Sequence, residues 1–229
     1  MVLVDVPRPR PVRPAPRRYA PGLTPADLLD RFGPLPAGRV VHDPRPGTAT
    51  VADWRRANRR GDGVYELIDG TLIRKAVSDL SSWLGGEIFA VIRNFVRAHG
   101  FGYTHPADGF FELPDGLRAP DASFTRFADR PDGLREQGYS DVPPALVAEA
   151  LSPGNTRREM DRKRAIRFAA GVRLVWEVDP LARTVAVRTA PDASTVLTEE
   201  AGDTLTGGSV LPGFSVSLAD LFARPGEVR

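Results

Sequence analysis

One seven-residue run constrains this chain more than any other feature. Ala145 to Leu151 (ALVAEAL) is apolar except for a single acid, Glu149. A short, nearly continuous apolar run of this kind is what a strand buried on both faces requires. It is followed by Thr156-Arg157-Arg158-Glu159, a capping box whose first and last side chains satisfy each other's backbone N–H groups. That signal opens a helix read to about Ala170, with Gly171 as its stop. Val172 to Val178 (VRLVWEV) then reads as a second buried strand, closed by Asp179-Pro180.

Upstream segments add to this frame. From Asp79 to Ala98, the residues Leu80, Leu84, Ile88, Val91, Ile92 and Phe95 recur at i, i+4, i+8, i+11, i+12 and i+15, one apolar stripe of a helix that Gly100 ends. Val64 to Ile73 (VYELIDGTLI) places Asp69-Gly70 between two apolar runs, and both residues tolerate positive φ, so a tight hairpin is predicted. Phe110–Leu113 and Leu117–Phe124 predict a second hairpin across Pro114-Asp115-Gly116, with Pro120 marking an edge or a bulge. Thr50–Asn58 reads as a short helix, as does Ala26–Phe32 behind an N-cap at Thr24. Thr184–Arg188 with Ser194–Thr198 predict a terminal antiparallel pair, and Leu218–Phe222 a last short helix. The order predicts an α/β domain, α+β mixed, with a mixed central sheet flanked by helices.

Charge is unevenly placed. Residues 1–50 carry eight arginines and four acids, whereas the rest of the chain has a small acidic surplus. The body is not a basic surface, so phosphate attraction is expected from the N-terminal segment or from a local patch. Residues 1–22, rich in Pro and Arg, read as a disordered or polyproline-like arm. The division expected is an arm and linker over 1–49, a domain over 50–223 and a tail over 224–229. With no cysteine in the chain, disulfides, thiolate metal sites and cysteine nucleophiles are excluded, which fits a reducing, cytoplasmic setting. No signal peptide is read at the N-terminus, and no run approaches the ~18 apolar residues of a membrane span, so no membrane partner is expected.

Three acids stand where acids are costly. Glu66 shares a strand face with Val64 and Ile68, Asp121 follows Pro120 in a strand-like segment, and Glu149 interrupts the buried run. Buried carboxylates are paired with a cation or hold a metal. Asp121 and Glu149 on neighbouring strands would suit a hard divalent ion that keeps several waters, Mg²⁺ or Mn²⁺. The bland reading of each acid is a salt-bridged strand residue. The only lysines in the chain are Lys75 and Lys163. Lys163 shares a helix face with Glu159 and Ile166, so it either looks towards the sheet or forms a surface i,i+4 pair with Glu159. Lys75, just past the first hairpin, reads as a solvated strand end. His42, His99 and His105 have no metal-ligand spacing and read as surface or loop residues. Ser152 and Asn155 read as residues that start the following helix. No Gly-rich phosphate loop, GxSxG elbow or zinc motif occurs.

The runs YELIDGTLIRK, LRAPDASF, ALVAEALSPGNT, RREMDRKRAIRFAAGVRLVWEVDP and VLPGFSVSLADLF, in this order over roughly residues 50–223, resemble the Uma2 family of restriction-endonuclease-like proteins. The resemblance implies the PD-(D/E)XK nuclease fold. It implies Asp121 as the "PD" acid, Glu149 as the second acid and Glu66 as the early acid. The lysine usually two residues after the second acid is replaced here by Leu151, and Lys163 stands where similar sequences carry a lysine in the next helix. Ser81 stands near where many members carry a histidine. The activity implied is Mg²⁺-dependent hydrolysis of DNA phosphodiester bonds, with DNA as partner and a homodimer compatible with cutting both strands. The alternative is a nuclease-fold module that binds nucleic acid or protein without catalysis.

Overall fold

The computed structural model of the protein describes residues 22–224 and residue 226, so the arm expected over 1–22 lies, except for Gly22, outside the described residues. The elements in chain order are α1 (Pro25–Phe32), a 3-10 turn (Ala37–Arg39), α2 (Val51–Asn58), β1 (Tyr65–Ile68), β2 (Thr71–Arg74), α3 (Asp79–His99), β3 (Gly102–His105), β4 (Phe111–Leu113), β5 (Gly116–Arg118), β6 (Ala122–Arg126), a second 3-10 turn (Phe127–Asp129) and β7 (Leu146–Ala150). They continue with α4 (Arg157–Ala170), β8 (Leu174–Asp179), β9 (Thr184–Arg188), β10 (Ser194–Thr198), β11 (Thr204–Thr206), β12 (Ser215–Ser217) and α5 (Leu218–Phe222).

A six-stranded mixed sheet, ordered β10-β9-β8-β7-β6-β3, forms the centre. Its one parallel pair is β7 with β8, joined by α4, as the two buried apolar runs around a capped helix require. Helix α3 covers one face. Leu84, Ile88, Ile92 and Val96 recur every four residues and pack with Phe124, Leu146, Ala148 and Trp176. Each large apolar side chain buried there contributes about 1.5–3 kcal/mol relative to exposure. On the opposite face Phe168 of α4 packs against Val147, Val172 and Val175.

A separate four-stranded antiparallel sheet, β2-β1-β5-β4, stands beside the central one. The first hairpin forms as predicted, with Asp69 and Gly70 at φ of 46° and 69°. The second departs from expectation. The arm expected over Leu117–Phe124 is two strands in two sheets: β5 pairs with β1, β6 pairs with β3 and β7, and Ala119-Pro120-Asp121 carries the chain between them. Proline cannot donate to a ladder, so the break falls there. At Gly116 (φ 135°) a Cβ would lie 1.9 Å from the Leu67 carbonyl oxygen, which restricts the start of β5 to glycine. Three further strands, β3, β11 and β12, were not read from the sequence: β11 and β12 have three residues each, and the four of β3 are all half-buried, without alternation.

Residues 22–49 are also not the linker that was expected. Phe32 is buried with Ile68 and Ile73, and its carbonyl accepts from Thr156 Oγ1. Val41 and Ala49 donate backbone N–H groups to Leu72 and Gly70 of the first hairpin. After α1, Pro and Gly over residues 33–47 remove any helical or strand period and so hide this packing. Among the described residues, no helix is long and apolar enough to cross a membrane.

Candidate active site

The four predicted site residues meet at the seam between the two sheets. Glu66 is on β1, Asp121 immediately precedes β6, Glu149 is the fourth residue of β7 and Lys163 is in the middle of α4. Strand register brings the acids together: Ala122 faces Ala148, and the Ala150 N–H donates to Asp121 Oδ2 at 2.9 Å. The acid ahead of β6 is thereby tied to the strand that carries Glu149.

Lys163 is not a surface residue. Its side chain is 4% exposed, and Nζ lies 3.9 Å from Glu66 Oε2, 3.9 Å from Glu149 Oε2 and 3.7 Å from Glu159 Oε1. The buried face of α4 bears Glu159, Lys163 and Arg167, one charge per turn. Arg167 donates to Glu149 Oε1. The sequence reading missed Arg167, although its i+4 spacing from Lys163 was the available signal.

Lys75 also departs from expectation. It is buried, and its Nζ donates to Asp121 Oδ1 at 2.8 Å and to the Ala119 carbonyl at 2.7 Å. No local pattern marks it, but its rarity does: both lysines of the chain lie in this cluster. Glu66 has both oxygens engaged. Oε1 accepts from the Ala119 N–H at 3.1 Å and Oε2 from Arg118 at 3.3 Å, so it braces the Ala119–Asp121 turn.

The pKa values are pushed apart. Burial raises the Asp121 carboxyl; Lys75 opposes this and Glu149 reinforces it. Burial alone would raise Glu149 as well, but Lys163 and Arg167 outweigh it and hold that carboxyl below its ordinary range. At Glu66 burial is outweighed by Lys163 and Arg118, and the pKa falls to about 2. Lys75 is raised, because Asp121, Glu149 and Glu66 overcome its desolvation. Neighbouring carboxyls held at different pKa values are the usual condition for dividing acid and base roles.

Beside Asp121 a cleft of about 280 Å³ opens, lined by Lys75, Val77, Ser81, Gly85, Phe89 and Ala107 among others. Asp121 is packed under α3 at Gly85, where a Cβ would lie 3.4 Å from its own. Ser81 lines the cleft, but its hydroxyl is engaged in the capping box with Ser78. Ser152 and Asn155 close the turn before α4 on each other, Ser152 N–H donating to Asn155 Oδ1 at 2.9 Å. His105 is on β3, half-buried against Phe111, and not in a loop as expected; His99 is exposed and stacks on Phe95.

The donor set fits a divalent cation in kind. Asp121 and Glu149 offer hard oxygens on adjacent strands, and the raised carboxyl of Asp121 gains from a positive charge. Among the described residues no group of three or more acids or histidines is placed to hold a metal ion.

Against known proteins, the family model Uma2, described as "putative restriction endonuclease", matches residues 51–219. A crystal structure from Anabaena variabilis ATCC 29413, described as a "putative nuclease belonging to DUF820", shares the fold with a TM-score of 0.61 at 22% identity. The match covers 70% of this chain and 90% of that one. No curated protein matches.

Proposed function

The chain belongs to the Uma2 family, and from that premise we propose that it is a Mg²⁺- or Mn²⁺-dependent nuclease hydrolysing DNA phosphodiester bonds. The observation that carries this reading is the convergence of Asp121 and Glu149, tied through the Ala150 N–H, with the chain's only two lysines, Lys75 and Lys163. Asp121 and Glu149 would hold the cation, which when bound supplies Lewis-acid polarisation and activation of water.

The protein's own groups do the rest. Lys163 supports negative charge developing on a phosphoryl oxygen, in the role that the missing lysine at Leu151 would otherwise take. Lys75 holds the Asp121 carboxylate in place. Glu66 acts at one remove, through Lys163 and through the turn that presents Asp121. The cleft beside Asp121 is the path offered to the nucleic acid.

A second reading, a binding module without catalysis, is favoured by one observation. The buried cluster is already neutral: Glu66, Asp115, Asp121, Glu149 and Glu159 face Arg39, Lys75, Arg118, Lys163 and Arg167. A divalent cation must displace a lysine from its partner to bind. Calorimetric titration of Mg²⁺ or Mn²⁺ into the full chain and into Asp121→Ala/Glu149→Ala separates the two readings. Binding that disappears in the double variant, with cation-dependent nicking of plasmid DNA, supports the nuclease. No binding to folded protein leaves the module.

A further inference from the structure

Arg39 lies outside the stretch that the family model matches, yet it touches three parts of the site's frame. Its side chain is 9% exposed. Nε donates to the Arg74 carbonyl at 2.9 Å, and Nη1 donates to the Gly154 carbonyl at 2.8 Å. Nη1 and Nη2 also grip Glu159 in a two-pronged bond of 2.9 and 2.7 Å. Arg74 is the residue before Lys75. Gly154 sits in the loop between the strand of Glu149 and the helix of Lys163. Glu159 is one helical turn ahead of Lys163.

Lys163 makes no short hydrogen bond to any of its three carboxylates; Nζ is nearly equidistant from Glu66, Glu149 and Glu159. Its position therefore depends on the balance of charge around it. With both oxygens in the guanidinium fork, Glu159 is neutralised and cannot monopolise the lysine four residues on. Without the fork, a buried carboxylate would remain whose nearest cation is Lys163, and an unpaired buried charge is costly enough to draw the ammonium over.

We propose that Arg39 is a positioning residue of this site: by neutralising Glu159 it leaves Lys163 shared between Glu66 and Glu149, and by bonding the Arg74 and Gly154 carbonyls it fixes the chain beside both lysines. Its service to hydrolysis rests on the nuclease reading; its control of Lys163 does not.

The two-lysine composition makes a direct test possible. Full-length protein labelled with ¹³C-lysine gives two ε-methylene signals, assigned with Lys163→Met. Arg39→Met is expected to move the Lys163 signal, and Arg39→Met/Glu159→Gln to return it towards the wild-type position, because the competing charge is gone. An unmoved Lys163 signal in folded Arg39→Met, or a double variant displaced further than the single one, overturns the proposal. If Arg39→Met does not fold, Arg39→Gln keeps amide donors without the charge, and the same displacement and the same return with Glu159→Gln are required.

In a nicking assay, Arg39→Met is expected to lower kcat about 10- to 100-fold, with KM changing much less, and Glu159→Gln to recover most of the loss. Absence of nicking by the wild type would count against the nuclease reading alone, and the lysine signals would still decide the role of Arg39.

Discussion

Lys75 and Asp121 form an ion pair of 2.8 Å that joins the two sheets of the domain. Lys75 follows the last residue of β2 in the four-stranded sheet, and Asp121 precedes the first residue of β6 in the six-stranded one. The pair closes the seam at the point where the cleft begins.

Removing the cation should expose the cost of that arrangement. Lys75→Met is expected to lower stability by about 3 kcal/mol near pH 8, the range for breaking a buried pair. The sign of the pH dependence follows from the raised carboxyl of Asp121. A carboxylate whose folded pKa exceeds its unfolded value costs stability above the unfolded pKa, and protonation removes the cost. The deficit should therefore shrink as the pH falls towards about 4. Urea unfolding across this range measures it, and an equal deficit at every pH would show that Asp121 finds another cation.

Glu66 behaves in the opposite sense. Its pKa is lowered to about 2 from an ordinary 4.5. The ionised form therefore contributes about 3 kcal/mol, fully present above pH 4.5 and lost as the pH falls towards 2. Glu66→Gln should be less stable at neutral pH, with a flatter stability profile between those limits. Parallel acid-unfolding curves for the two proteins would contradict this.

The cleft can be filled without disturbing the core. Gly86 lines the cleft, is exposed on α3, and a Cβ there meets nothing within 4 Å. Gly86→Leu gains helix propensity, about 0.5–1 kcal/mol, so its melting temperature should hold or rise. Affinity for a labelled DNA duplex, read by fluorescence anisotropy, should fall. Unchanged affinity would place the nucleic acid elsewhere.

The N-terminal arginines should act through charge alone. Residues 1–21 contain five arginines and one acid. Their deletion is expected to leave the unfolding midpoint in place and to reduce the slope of log affinity for DNA against log salt by several units, about 0.9 for each phosphate that the arginines neutralise. An unchanged slope would remove the segment from the interface.

Much of the frame was legible because its causes are local. The capping boxes at Thr24 and Thr156 form as read, each between residues three apart. The stripe of α3 and the Asp69-Gly70 turn likewise state their own geometry. Glu66, Asp121 and Glu149 could be singled out because a carboxylate within apolar or strand-like sequence is anomalous by itself.

The rest depends on pairings between distant residues. Pro120 marks a break in a strand, but only the packed structure shows β5 and β6 entering different sheets. Lys75 and Asp121 are 46 residues apart, and Arg39 and Glu159 are 120 apart. A lysine or arginine on the solvent face of a helix and one buried in an ion cluster have the same local sequence. Local signals determined the helices and most of the strands of this protein, and singled out its three buried acids. Burial and charge pairing, which exist only once the chain has closed on itself, decided which cations those acids face.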